Sequence, residues 1–211
     1  NLAAGDGVDR YEDLHQLLDR DDIDVVNVCT TDRLHLEPVL AAAQAGKHIL
    51  VEKPLAYTVE DCDSMIRAAR AAGVKLMVGQ ILRFDPRYCA AQQAIEDGRI
   101  GELVHVYARR NNSIASALAR ADKTSVLYFL GVHDIYFVNW CAAAKVETVF
   151  GVSHQKVLTD FETPDTTLAL LKYENGMIAS LEFSWVLPSG IPSRIEARFE
   201  AVGTRGQINI D

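Results

Sequence analysis

The spacing of apolar residues changes character near residue 80, and that change constrains the fold more than any other feature of this chain. Before it, short β-branched runs alternate with helical stretches. Residues 24–29 (DVVNVC), 47–52 (KHILVE) and 75–79 (KLMVG) have the length and composition of strands, the first read as buried. Residues 11–19 carry Leu14, Leu17 and Leu18 at helical spacing, and residues 36–45 form an Ala/Leu-rich helix that Gly46 stops. Thr58 opens a further helix, with Asp61 as a weak form of the capping box, running through Met65, Ile66 and Ala69 to Gly73. Strands alternating with helices of this length predict βαβ units and a parallel sheet. Three such strands are too few to close a core on both faces.

After residue 80 the period is that of a different architecture. A helix over residues 87–97 stops at Gly98, and residues 103–109 alternate as a strand. A helix over residues 131–143 precedes strand-like runs at 146–152, 167–173, 177–185, 194–202 and 207–210. Asn175-Gly176 between two of these runs is a strong hairpin signal, and residues 203–206 form a second turn. This predicts an α+β domain with a mostly antiparallel sheet. The boundary falls between residues 80 and 85, giving domains of 1–82 and 83–211.

Composition excludes several classes of function. A net charge of -8 argues against a nucleic-acid binder, which would present a basic face. No apolar run approaches the ~20 residues that span a bilayer. The four cysteines (Cys29, Cys62, Cys89 and Cys141) form no CxxC pair and are expected to be buried, reduced thiols in a cytoplasmic protein.

Four clusters could carry chemistry. Residues 29–35 follow a parallel strand, where hydroxyls and a helix N-terminus can hold phosphate or ribose oxygens; the bland alternative is a βα loop with Asp32 capping and His35 exposed. Glu52-Lys53-Pro54 ends the next strand, so both loops could face one crevice; a Lys beside an acid is otherwise a surface pair. A cis Lys53-Pro54 bond would aim the lysine sharply. His133, in Gly131-Val132-His133-Asp134, is either a core histidine or a proton acceptor for an alcohol–ketone interconversion. Arg83, in Arg83-Phe84-Asp85-Pro86, supplies either a substrate cation or a hinge salt bridge. No G-x-G-x-x-G occurs: Gly5 and Gly7 precede a helix without a strand before them. Either this is no dinucleotide domain, or its first βαβ unit lies outside these residues.

The segment DIDVVNVCTTDRLHLEPVLAAAQAGKHILVEKPLA resembles the Gfo/Idh/MocA oxidoreductases, in which a Thr-Pro-Asn-x-x-His loop is followed by Ala-Gly-Lys-His and then Glu-Lys-Pro. GQILRFDPRY, IEDGRIGELVHVYARR, GVHDIYFVNW and EAVGTRGQINID extend the resemblance over nearly all of residues 9–211. It implies a partial Rossmann sheet followed by a domain with a large open sheet that forms homodimers or homotetramers. It implies NAD or NADP and a sugar, cyclitol or sugar-acid substrate. Thr30, Thr31, Asp32, His35, Glu52, Lys53, Pro54 and Gln80 would then contact cofactor, and Lys53, Arg83 and His133 substrate. Lys53 and His133 would be catalytic, and no metal is expected. The chain departs from the family in lacking the loop proline, in Phe129 where many members carry an Asp before the histidine, and in Tyr136 where many carry one after it. Phe129 keeps a second expectation open, a non-redox member that retains nicotinamide for bond cleavage or sensing. A third is an interaction module built on the open sheet.

Overall fold

The computed structural model describes residues 7–193 and 195–211, so the readings placed on Gly5 and Arg194 lie outside the described residues. The chain divides into two compact units, Asn1–Gly79 and Gln80–Asp211.

In the first unit, β1 (Val25–Val28), β2 (His48–Val51) and β3 (Leu76–Val78) form a parallel sheet in the order β1-β2-β3. The connecting helices are α2 (Leu36–Gln44) and α3 (Val59–Ala71), and a short α1 (Leu14–Leu18) precedes β1. The helix starts follow their caps. Asp13 accepts from the His15 amide at 2.8 Å, which starts α1 later than the apolar spacing suggests. Thr58 accepts from the Asp61 amide at 3.1 Å. Val26, Val28, Ile49 and Val51 pack under Val39, Ala42, Ala43 and Met65 of the helices. Only one face is covered among the described residues: Val25 is 57% exposed, so β1 is not buried on both sides as read from its composition.

In the second unit, α4 (Pro86–Glu96), β4 (Leu103–Ser113), α5 (Ile114–Leu118) and α6 (Val132–Ala142) precede the strands β5 (Val146–His154), β6 (Thr166–Tyr173), β7 (Ile178–Leu187), β8 (Ile195–Gly203) and β9 (Gly206–Ile210). The six-stranded sheet has the order β5-β6-β7-β4-β8-β9 and is antiparallel except where β4 pairs with β7. This is the expected mostly antiparallel sheet after a partial parallel one. Asn175-Gly176 makes the β6–β7 turn, with Gly176 at φ 84°, a conformation costly for a residue with a Cβ. Tyr88, Phe137 and Phe199 stack edge to face at the centre of the core, with centroids 4.8 Å apart in the Tyr88–Phe137 and Phe137–Phe199 pairs. The opposite face of β5, β6 and β7 exposes Phe150, Val152, Leu168, Leu170 and Ile178, the first four as cross-strand pairs.

The cysteine reading needs correction. Only Cys141 is buried; Cys29 is exposed, and Cys62 and Cys89 are half-buried, because each of these lies at a loop or helix edge. Burial pushes the Cys141 thiol up to about 12. No described helix is long and apolar enough to cross a membrane.

Candidate functional site

The first unit gathers its polar residues at the carboxyl ends of β1 and β2, which are hydrogen-bonded neighbours. After β1, Thr30 donates to the Leu34 carbonyl at 3.1 Å, and a 3₁₀ turn begins at Asp32, whose carboxylate accepts from the Arg33 amide. Thr30 and Thr31 are exposed. After β2, Glu52 accepts from the Lys53 amide at 3.2 Å, Lys53 is half-buried, and the Lys53-Pro54 bond is cis.

His35 joins the two loops. It is 1% exposed, against the expectation that it faces solvent or cofactor. Its Nδ1 lies 2.9 Å from the Pro54 carbonyl and 3.3 Å from that of Leu55, while Nε2 lies 3.2 Å from the Thr30 carbonyl. Carbonyl oxygens only accept, so the protonated ring nitrogen bonds to one loop while the other faces its partner loop. The ring edge that a ligand could use is spent on backbone. His35 therefore fixes the backbone of both loops. The loop motif alone gave no sign of this, since the contact spans 19 residues.

The second unit places His133 in the first turn of α6, directly after a π-helical turn over Leu127–Gly131. Such wide turns often accompany functional residues. Gly131 lets this turn lie close on the sheet: a Cβ there would meet Leu127 and the Phe183 ring at 3.3 Å. The next residue, Asp134, is 1% exposed. Arg110 on β4 grips it with two bonds, Nε to Oδ2 at 2.6 Å and Nη2 to Oδ1 at 3.0 Å, and also donates to the Tyr88 hydroxyl at 3.2 Å. Burial pushes the Asp134 carboxyl up from the ordinary carboxylate range, and the guanidinium opposes that shift. The bidentate geometry and a guanidinium that does not deprotonate keep the pair ionised. Sequence reading passed over this pair, although an acid inside the apolar run GVHDIYFVNW is itself a signal that a partner must exist.

Arg83 is exposed and lies in the second unit, after Gln80 opens a 3₁₀ turn. Its guanidinium sits 4.1 Å from the Trp140 ring centre and 5.4 Å from that of Tyr136, and it bonds the Tyr136 hydroxyl. Its described partners are aromatic, not the carboxylate of a hinge salt bridge. Phe129 is half-buried, 6.2 Å from the Trp185 ring centre, with the Arg120 guanidinium 5.0 Å over its face. Among the described residues no group of His, Cys, Asp and Glu is placed to hold a metal ion.

Residues 1–80 match an oxidoreductase family with an NAD-binding Rossmann fold, and residues 88–209 match the GFO/IDH/MocA C-terminal domain. The chain is 32% identical over 213 residues to a myo-inositol 2-dehydrogenase of Thermotoga maritima, covering 97% of this chain and 62% of that protein. It is 38% identical over 213 residues to a 2,7-anhydro-N-acetylneuraminate hydratase of Mediterraneibacter gnavus, covering 94% of this chain and 54% of that protein. A crystal structure of scyllo-inositol dehydrogenase from Lactobacillus casei, bound to NAD(H) and scyllo-inositol, superposes with a TM-score of 0.84 at 25% identity, covering 94% of this chain and 60% of that one. The chain thus spans between about half and three fifths of the length of these relatives.

Proposed function

The chain belongs to the GFO/IDH/MocA oxidoreductase family, and on that premise we propose that the protein it forms part of is an NAD(P)-dependent dehydrogenase or reductase. Its reaction moves hydride between nicotinamide and a CH–OH carbon of a sugar, cyclitol or related polyol. The observation that carries this reading is the pair of loops at adjacent parallel strand ends, tied together by His35. Ligands of open α/β sheets bind outside such strand ends. Thr30, Thr31 and Asp32 on one loop and Glu52, Lys53 and Pro54 on the other offer hydroxyl, carboxylate and ammonium groups, a donor and acceptor set that suits ribose hydroxyls and a carboxamide. Gln80 joins this set as a cofactor contact.

When bound, the nicotinamide supplies the carbon that accepts or gives the hydride. The chain's own residues handle the proton and the oxygen. Lys53 donates from Nζ to the reacting oxygen and polarises it. His133 takes the hydroxyl proton as the alcohol is oxidised and returns it in the reverse direction. Arg83 contacts substrate from the edge of its aromatic stack. Residues 1–82 serve the cofactor and residues 83–211 the substrate. The exposed apolar face of β5, β6 and β7 forms homodimers or homotetramers in the cytoplasm, since apolar patches of this kind mark interaction surfaces.

The test uses the full-length protein. His133→Ala lowers turnover by about 10²–10⁴-fold, the usual cost of losing a positioned acid–base group, while cofactor affinity stays near that of the parent. Near-normal turnover removes His133 from the chemistry. A second reading is a reaction without net redox, in which nicotinamide is retained through a bond cleavage or hydration. Phe129 and the similarity to a protein named a hydratase favour it. Absorbance in the reduced-nicotinamide band separates the two: net oxidation of a polyol accumulates reduced cofactor, and the second reading does not.

A further inference from the structure

We infer that the substrate carries an anionic group, a carboxylate on a sugar or polyol frame, and that Arg120 selects for it. This rests on the sugar or polyol substrate proposed above. The second unit contains a cavity of about 620 Å³ bordered by Asn112, Ser113, Ser116, Arg120, Phe129 and Ser189. Small-molecule sites commonly have volumes of roughly 300–1,000 Å³. Phe129 lies about one helical turn before His133, so the cavity starts close along the helix to the residue assigned the proton.

The wall has a definite electrostatic character. Each of its polar side chains can donate a hydrogen bond, and among the described residues no carboxylate lines it. Arg120 forms no ion pair among the described residues. Its two hydrogen bonds, to the Ser116 carbonyl at 3.2 Å and hydroxyl at 3.3 Å, both leave from Nη1. The Nε–Nη2 edge, the fork that matches a carboxylate, is not engaged by them. The Phe129 ring, 5.0 Å from the guanidinium carbon, supports its plane without neutralising it. Arg120 is exposed, and a guanidinium without an ion pair in a concave wall favours an anionic ligand over a neutral one. A neutral polyol would use the hydroxyls and amide equally well but would leave the cation without a partner.

The experiment uses full-length protein with NAD and matched pairs of probes: D-glucuronate against D-glucose, D-galacturonate against D-galactose, and N-acetylneuraminate as a larger acid. Binding is measured by calorimetry and turnover by reduced-nicotinamide absorbance. At least one acid is expected to bind about tenfold or more tightly than its neutral counterpart. R120Q should weaken that acid by about 10–100-fold, the range of a charge-assisted hydrogen-bonded pair, and leave neutral sugars within about twofold. R120K should recover part of the loss. F129D, which sets a carboxylate against the guanidinium, should reproduce the loss without removing the arginine. Equal binding of acids and neutral sugars, failure of every acid to bind, or binding indifferent to R120Q overturns the inference. Arg120-dependent binding without any hydride transfer upholds it while refuting the redox reading.

Discussion

The first unit keeps its polar groups on loops and exposes them, whereas the second buries a charged pair inside its core. In the first, Thr30, Thr31 and Glu52 are solvent-facing, and a single buried imidazole fixes the loops that carry them. In the second, His133 sits on a helix whose next residue, Asp134, is locked to Arg110 across to β4. Loops are free to move unless tied. A helix held by an ion pair within a packed aromatic core is fixed by many contacts at once. The first arrangement suits a group that must be shaped to its ligand, and the second suits one that must hold an orientation.

The largest effect that tests this contrast is expected at the buried pair. Asp134→Ala leaves the Arg110 guanidinium buried without a counter-charge and should cost about 3–5 kcal/mol of stability. The chain's tryptophans, Trp140 and Trp185, both lie in the second unit and report its unfolding by fluorescence in denaturant. Replacing both partners with apolar residues, Arg110→Met with Asp134→Leu, should recover most of that loss. If Asp134→Ala costs less than about 1 kcal/mol, the pair does not fix α6, and the contrast between the units fails.

A smaller effect is expected at His35. Its replacement by Phe keeps bulk but removes the hydrogen bond that the protonated ring nitrogen gives to a loop carbonyl, at a cost of about 1–3 kcal/mol. The loss should be local: hydrogen exchange quickens in the loops after β1 and β2, cofactor affinity falls, and tryptophan fluorescence reports an unchanged second unit. A global loss of stability, or unaltered cofactor affinity, would show that the loops do not depend on the tie.

The two units also differ in how much of them could be read in the chain. In the first, strand, loop and helix follow one another within short distances, so β-branched runs, the Thr58 cap and the Gly46 stop marked the elements within a residue or two. The Glu-Lys-Pro and Thr-Thr-Asp loops were found for the same reason. What escaped was the role of His35, because its partners are set by the pairing of β1 with β2 and not by its neighbours in sequence. In the second unit the Asn175-Gly176 turn and the alternating strands gave the sheet. The π-helical turn, the short α5 and the Arg110–Asp134 pair did not show, because each depends on tertiary packing over long separations. The exposed Cys29 follows the same logic: an apolar run predicts a strand but not which residue ends it.

The smallest predicted effect concerns acid and lies far from His133 in sequence. Asp165, 2% exposed, precedes β6 and accepts from three successive backbone amides: Lys156, Val157 at 2.6 Å and Leu158 at 2.9 Å. Burial acts to raise its carboxyl, but the three amides outweigh that and hold it below the ordinary carboxylate range. A group whose folded pKa is depressed contributes stability that is present above its unfolded value, about 3.9 for Asp, and is lost as pH falls through the folded value. The second unit should therefore lose stability below about pH 4 in part through this residue, with no contribution from it to pH dependence above about pH 5. Asp165→Asn retains the size but replaces one acceptor with a donor facing an amide, and should cost about 1–2 kcal/mol at neutral pH. The variant should also show a flatter loss of stability on acidification than the parent, because its side chain no longer titrates. Parallel acid curves for the two proteins would mean that other carboxylates carry the acid response and that the loop over residues 155–165 does not depend on the charge of Asp165.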